Sequence, residues 1–228
     1  MGFQAIKKEV FSLLRQEDLA GMLPRIRQLS RSATIKALFS GICHGDEILH
    51  WHAVSAMGRV VADLAVEDME AARIVMRRFM WSLNDESGGI GWGAPEAMAE
   101  CIAVHDGLAA EYGHMLVAYM REDGYYLEYE PLQRGLMWGL ARVAAVRPDL
   151  LRQKNAPLYL LPYLAATDPA VRGLAALTLG LLRAEDALPR LKELQTSQEP
   201  VRLYRDGALT TRTEGELARQ AINTITTG

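Results

Sequence analysis

Two pairs of glutamate and histidine stand three residues apart in this chain, Glu47 with His50 and Glu111 with His114. On a helix this spacing turns both side chains to one face, and two such helices can together hold a di-iron centre. The two pairs fall on non-equivalent helices of an internal repeat, and convergence is therefore not expected. We predict no metal site and no catalytic constellation.

Two further patterns resemble chemical motifs but lack the context that those motifs need. Gly89, Gly91 and Ala94 give a G-x-G-x-x-A spacing, which binds dinucleotides only after a strand, and here the preceding residues have helical periodicity. Cys101 and His105 lie one helical turn apart, yet the surrounding residues are acidic and would not favour a thiolate. The sequence therefore predicts no cofactor.

The charge of the chain is strongly uneven. Residues 84–130 contain ten acidic residues and one basic residue, Arg121, whereas both flanking segments are net positive and the whole chain carries a net charge of −3. Such an acidic band repels phosphates, so we expect no binding to nucleic acid, and it attracts a basic protein or peptide. A purely solvated acidic surface is the alternative interpretation.

Two long loops inside the acidic band combine carboxylates with aromatic side chains. They span residues 84–91 and 122–129, and equivalent loops of a helical solenoid stack along one edge. We expect these loops to form one binding edge, because tyrosine and tryptophan anchor interfaces through large, rigid contact area. The residues predicted to form this loop edge are Asp85, Glu86, Trp92, Glu122, Asp123, Tyr125, Tyr126, Glu128 and Tyr129.

An internal repeat of about forty residues organises the chain. Residues 51–58 and 92–99 share the pattern W-x-A-x-x-A-M followed by a small residue, and 168–180 align with 46–58 as a third copy. A period of this length is typical of solenoids, in which stacked helix pairs bury each other's apolar faces. The same alignment allows an alternative interpretation of Trp92, as a core residue equivalent to Trp51.

Apolar periodicity predicts the helices. Residues 3–15 and 17–29 form two N-terminal cap helices, and the second helices of the repeats are predicted at about 67–83, 107–120, 155–165 and 185–195. Residues 201–209 have the pattern of a strand, an Asp-Gly turn and a strand. Side chains suited to capping helix N-termini are those of Asp46, Asp168 and Thr213. Alanines expected to be buried between helices are Ala53, Ala56, Ala94, Ala97, Ala175 and Ala176.

A resemblance to HEAT-like repeats follows from these stretches. Residues 168–180 resemble the first helix of such a repeat, D-x-x-V-R-x-x-A-A-x-x-L-G, and residues 201–218 resemble the closing segment of HEAT-like proteins related to phycobilin lyases. The resemblance implies an all-α fold, a right-handed α-α superhelix of the HEAT-like, armadillo type, with a short C-terminal β-hairpin-like segment. Scaffolds, lyases, hydroxylases and DNA glycosylases share these motifs, so the motifs alone select no function.

The predicted organisation is a single solenoid over residues 1–228. Its parts are the cap helices over 1–41, repeats at about 46–83, 87–121, 130–165 and 168–197, and a hairpin with a final helix over 198–228. No apolar stretch approaches the ~20 residues of a membrane span, and the N-terminus lacks a signal-peptide core. We expect a cytoplasmic protein without membrane insertion, in which Cys43 and Cys101 are free, buried thiols.

The resemblance also implies a second candidate surface, because the second helices of HEAT-like repeats line a concave groove. The candidate groove residues are Arg73, Arg77, Glu111, His114 and Tyr159. The preferred hypothesis is a non-enzymatic scaffold that contacts a basic protein or peptide through the loop edge. The alternative is a lyase-like enzyme that handles a small molecule or chromophore in the groove. A DNA glycosylase would need a basic groove, which the acidic band disfavours.

Overall fold

The computed structural model describes residues 2–16, 18–84 and 91–227. The chain divides into two compact units. The first comprises residues 1–108 together with 204–208, and the second comprises 109–203 together with 209–228.

The first unit is helical. Its helices are α1 (Phe3–Leu14), α2 (Leu19–Arg27), α3 (Arg31–Ile42), α4 (Glu47–Glu67), α5 (Met69–Leu83) and α6 (Ala94–Val104). The long helix α4 packs against α3, α5 and α6, and α1 packs against α3 and α4. Helix α7 (Asp106–Ala118) begins in this unit and continues in the second.

The second unit contains the later helices and the hairpin apart from its tip, residues 204–208. They are α8 (Glu130–Val146), α9 (Pro148–Arg152), α10 (Ala156–Leu160), α11 (Pro169–Leu181), α12 (Leu188–Leu194), β1 (Pro200–Arg205), β2 (Ala208–Thr213) and α13 (Glu214–Thr226). Helix α11 packs against α8 and α13. The predicted helices at 155–165 and 185–195 are each split into an α-helix and a short 3-10 helix. A proline lies in the first turn of α10, of the 3-10 helix Leu161–Ala165 and of α12.

Small residues let the helices approach closely, as the repeat pattern predicts. The six alanines expected between helices are all buried, which confirms that prediction. At Gly180 in α11, an added Cβ would lie only 2.5 Å from the Cα of Ala221 in α13. A larger residue there would push the two helices apart, so glycine is required by packing at this position.

The three predicted N-caps are confirmed. The Asp46 carboxylate accepts a hydrogen bond from the Leu49 amide, and the Asp168 carboxylate accepts from the amides of Ala170 and Val171. Thr213 forms a full capping box with Glu216 at the start of α13. Asp168 also accepts a 2.6 Å hydrogen bond from Nε of Arg134, which ties the start of α11 to α8.

The tip of the hairpin belongs to the first unit. The Tyr204 ring stacks on Trp51 with 5.0 Å between ring centroids and 11° between ring planes, and its hydroxyl lies 2.8 Å from that of Ser55. Buried His52 places Nδ1 2.9 Å from the carbonyl oxygen of Leu14. Trp51, whose spacing revealed the repeat, thus serves as the platform on which the hairpin tip packs.

Two features of the first unit differ from the predictions. Helix α3 has no counterpart among the predicted helices, because Thr34 and Gly41 occupy two positions of its buried face and weaken the apolar stripe that the sequence shows. Cys43 is free but exposed, whereas the prediction placed it in the core; it ends α3 and faces outward. Cys101 is free and buried, as predicted.

Membrane insertion was not expected from the sequence. Within residues 2–16, 18–84 and 91–227, none of the helices combines the length and the apolar character that a bilayer crossing requires.

We expect the Asp168→Ala variant to lower the free energy of unfolding by about 1–2 kcal/mol at pH 7, since it removes an N-cap and the partner of Arg134. Burial opposes ionisation of Asp168, but the hydrogen bonds from Arg134, Val171 and Ala170 outweigh it and lower its pKa. The stability that the carboxylate contributes is therefore present above pH ~4 and is lost as the pH falls through the lowered pKa.

Urea titrations between pH 2 and pH 7 measure both effects, with Asp168→Asn as the control that keeps a capping oxygen but cannot ionise. An unfolding free energy that is the same for all three proteins across this range would contradict the assignment.

Candidate functional site

The segment Arg121–Glu130, which we call the acidic tyrosine loop, joins α7 to α8 in the second unit. Its backbone folds back on the end of α7. The amide of Tyr125 donates to the carbonyl of Ala118 at 3.0 Å, and the amide of Leu127 donates to the carbonyl of Tyr119 at 3.1 Å. The Leu127 side chain is buried and pins the centre of the loop. The loop therefore has one defined conformation despite its length.

Buried polar groups beneath the loop complete this support. Gln133, in the first turn of α8, is buried and donates from Nε2 to the Leu127 carbonyl at 2.8 Å and to the Tyr126 hydroxyl at 3.2 Å. The Tyr163 hydroxyl donates to the Met120 carbonyl at 3.3 Å. Burial raises the pKa of Tyr163, and the neighbouring Tyr126 hydroxyl adds to that increase. The Tyr163 phenol thus stays neutral and available for hydrogen bonding.

The outer surface of the loop presents rings and carboxylates together. Tyr125 is 56% exposed, Tyr126 37% and Tyr129 49%, so three aromatic rings are part-exposed on one short segment. The carboxylates of Glu122, Asp123, Glu128 and Glu130 are exposed on the same segment. The sequence predicted this combination of residue types, and the second unit places them on one ordered loop.

Arg121 modifies the charge of this surface. Its guanidinium donates to both oxygens of Asp123, at 2.9 and 2.6 Å, and this hydrogen bonding lowers the pKa of Asp123. The same guanidinium lies 5.0 Å from the centre of the Tyr159 ring. Tyr159, predicted as a groove residue, therefore lies beside the loop. The charge of Asp123 is already compensated within the loop, which leaves the glutamates as its outward negative groups.

The other half of the predicted loop edge belongs to the first unit. Asp85 and Glu86 lie outside the described residues. Trp92 is 48% exposed, so the alternative that it is a core residue is wrong. Its carbonyl accepts a 3.3 Å hydrogen bond from the Cys43 thiol, and the next residue, Gly93, has a φ of 74°. A Cβ at Gly93 would lie 2.2 Å from the Ile42 carbonyl oxygen, so only glycine fits this turn.

The acidic band is less charged at its surface than its composition indicates. Glu96 and Glu100, both in α6, are each only 8% exposed. Burial raises the pKa of Glu96 to about 7, so this carboxyl is partly protonated at neutral pH. The sequence counted both residues as surface charge. The count was wrong because α6 is buried on nearly all sides, so that even its charged positions are largely withdrawn from solvent.

The predicted groove residues divide between the two units. In the first unit, Arg73 and Arg77 both donate to Glu70, and Arg77 does so at 2.6 Å. In the second unit, Glu111 is half-buried and His114 is exposed, one turn apart on α7. Within the described part of the chain, no cluster of three or more His, Cys, Asp or Glu side chains has a geometry that could hold a metal ion.

Sequence reasoning missed the residues that support the loop. Gln133 is a polar residue in a helix that opens with Glu-Pro-Leu-Gln, and nothing in that pattern marks it as buried. One signal was available: Leu127 is the single aliphatic residue among the polar and aromatic residues of the loop, and Gln133 follows it by six residues. A buried Leu127 would need a nearby donor for its carbonyl, and Gln133 could supply one. Exposed Trp81, on α5, is a further aromatic residue that the predictions did not include.

We expect Gln133→Leu to loosen the acidic tyrosine loop, because it leaves the Leu127 carbonyl without this buried donor. Amide hydrogen exchange of residues 124–129, followed by mass spectrometry, should accelerate about tenfold, in line with a loss of 1–2 kcal/mol of local stability. The matched control is Gln153→Leu, which removes an exposed amide from the same unit. Equal exchange in both variants would show that the loop is held by other contacts.

No protein-family model matches the chain, and no curated protein matches it significantly. Solved structures do match. An engineered protein has a TM-score of 0.57 and 16% identity, covering 100% of this chain and 98% of its own. Computationally designed armadillo repeat proteins for modular peptide recognition give a TM-score of 0.52 and 17% identity, covering 95% and 98%. A designed armadillo repeat protein in complex with the peptide (KR)4 gives 0.53 and 15%, with the same coverage.

At these identities the likeness shows the fold alone. The predicted fold class is confirmed as a mostly helical repeat solenoid of the armadillo type with a C-terminal two-stranded hairpin. The closer relation to phycobilin lyases has no support.

Proposed function

We propose that this protein is a binding scaffold and that its acidic tyrosine loop takes a basic peptide or a basic segment of a protein. The observation that carries the proposal is the hydrogen-bonded loop that presents three part-exposed tyrosine rings beside exposed glutamates. A loop already held in one conformation loses little entropy on binding, so more of the contact energy contributes to affinity.

The tyrosines supply contact area. A tyrosine side chain has two rotatable bonds and a large rigid ring, so it buries much surface at a small entropic cost. Tyr125 and Tyr129 are the two most exposed rings of the loop, while Tyr126 is fixed through its hydroxyl by Gln133. This arrangement gives two anchoring rings around a central ring that is part of the loop's support.

The charges give the preference for a basic partner. Glu122, Glu128 and Glu130 attract lysine and arginine over several ångströms and accelerate the encounter. The tyrosine faces are suited to guanidinium groups, and Arg121 of the loop already makes one such contact, with the ring of Tyr159 in α10. An arginine of a bound peptide would make the same kind of contact with Tyr125 or Tyr129.

The structural likeness supports the choice of a test peptide. One designed armadillo repeat protein with this fold was solved in complex with (KR)4, an alternating lysine and arginine peptide. That peptide offers both cationic groups at short spacing, which suits a surface where glutamates and tyrosine rings alternate.

Charge reversal tests the steering role of the loop. For the double variant Glu122→Lys with Glu128→Lys, we expect association with fluorescein-labelled (KR)4 to slow about tenfold at low salt and its salt dependence to flatten. The melting temperature should stay nearly unchanged, because exposed charges contribute little to folding. Glu185→Lys, which reverses an exposed charge elsewhere in the second unit, is the matched control.

Removing a ring tests the anchoring role in the same stopped-flow assay. Tyr125→Ala should raise the dissociation rate about tenfold, since a buried aromatic anchor acts after encounter, while Tyr125→Phe keeps the ring and the rate. If (KR)4 binds all of these variants with unchanged association and dissociation rates, the acidic tyrosine loop is only a solvated surface.

A further inference from the structure

A second surface of the second unit has the opposite charge. It is an open cleft of about 670 Å³ formed by one face of α13, the end of β2 and the turn that follows α11. Its lining residues are Arg183, Arg212, Glu216, Arg219, Gln220, Asn223, Thr224 and Thr227. We propose that this cleft is a binding site for a small phosphorylated sugar or similar polyol phosphate. The cleft shares no residue with the acidic tyrosine loop, and the proposal does not depend on the function proposed for that loop.

Three guanidinium groups and one carboxylate give the lining a net positive charge. The carboxylate, on Glu216, is engaged in the helix cap, where Oε2 accepts from the Thr213 amide at 2.9 Å and from Nε of Arg212 at 3.0 Å. Arg219 donates from Nη1 to the Gln195 carbonyl, which uses one of the five N–H donors of its guanidinium. Guanidinium groups that line one cleft are well suited to a phosphate, because a guanidinium can donate parallel hydrogen bonds to its oxygens.

The backbone at Arg183 is a second, independent observation. Arg183 has a φ of 54°, in the left-handed region that favours glycine. Its amide donates to the Gly180 carbonyl at 3.0 Å, and the amide of Ala184 donates to the Leu179 carbonyl at 3.0 Å, which is the Schellman pattern at a helix end. Glycine is the residue that suits this position. An arginine there is strained, so the position is not one that the helix end itself favours.

The uncharged part of the lining indicates what the phosphate is attached to. Gln220 and Asn223 offer carboxamides. The hydroxyls of Thr224 and Thr227 already donate to helix carbonyls, at 2.9 and 2.7 Å. The two hydroxyl oxygens are therefore left as acceptors for the hydroxyl protons of a ligand. Carboxamides and hydroxyls match the hydroxyl groups of a sugar. The eight lining residues include no aromatic ring on which a nucleobase could stack, which favours a sugar phosphate over a nucleotide.

Isothermal titration calorimetry with the full chain at low salt tests the ligand class. The probes are glucose 6-phosphate, glucose, inorganic phosphate and adenosine 5′-monophosphate. We expect glucose 6-phosphate to bind at least about tenfold more tightly than each of the other three. It alone offers a phosphate to the guanidinium groups and hydroxyls to the carboxamides and threonines, without a nucleobase that would have no aromatic ring to stack on. Absence of binding at about 10 mM, or equal affinity for glucose 6-phosphate and inorganic phosphate, would overturn the proposal.

The variant Arg183→Gly distinguishes a binding role of Arg183 from a structural one, because stability and ligand affinity should change in opposite directions. Glycine relieves the left-handed strain, so the melting temperature should rise by about 2–4 °C, while the affinity for glucose 6-phosphate should fall about tenfold. Arg219→Ala should lower the affinity to a similar extent.

Two control variants lie outside the cleft. Asn155→Gly relieves the same backbone strain at a residue with a φ of 55°, and Arg190→Ala removes an exposed arginine from α12. Both should bind glucose 6-phosphate as the parent protein does. If Arg183→Gly and Arg219→Ala also bind it unchanged, the cleft is not the site.

Discussion

Close approach of helix backbones at small residues is the constraint on which the rest of the structure depends. At Gly180 the backbones of α11 and α13 are so near that no Cβ fits, and at Gly58 a Cβ would lie 2.5 Å from the side chain of Glu100. Helices packed at this distance are fixed in rotation as well as position. Because α13 is held against α11 in this way, Arg183 at the end of α11 and the outer face of α13 share one surface.

The second unit uses this rigidity to present two surfaces of opposite charge. The acidic tyrosine loop is anchored to α7 and α8 through backbone hydrogen bonds and the buried amide of Gln133. The cleft lined by Arg183, Arg212 and Arg219 is built on α13, the end of β2 and the turn after α11, where Arg183 is strained. A surface whose supports are already satisfied binds without first having to order itself, which is what distinguishes a recognition site from a solvated loop. Both proposed sites are therefore faces that packed helices and a hydrogen-bonded loop hold in place.

Local chemistry made much of the fold predictable. The caps at Asp46, Asp168 and Thr213 depend on a side chain and the amides two or three residues later, so the sequence contains all that is needed. The burial of a carboxylate such as Glu96 depends on how separate elements pack, and so does the cleft that Arg183 shares with α13. A short sequence pattern contains no information about such packing. For this reason the tyrosines and glutamates of the loop were found from sequence, whereas Gln133 and the arginine cleft were not.

The most direct test of the account is to locate a bound basic peptide on the protein. Titration of the ¹⁵N-labelled chain with (KR)4, followed by NMR, reports on every backbone amide and on the Gln133 side chain. We expect the largest chemical-shift changes in residues 121–130, with further changes at the Gln133 side-chain amide. Saturable changes that cluster elsewhere and leave the acidic tyrosine loop unaffected would contradict it.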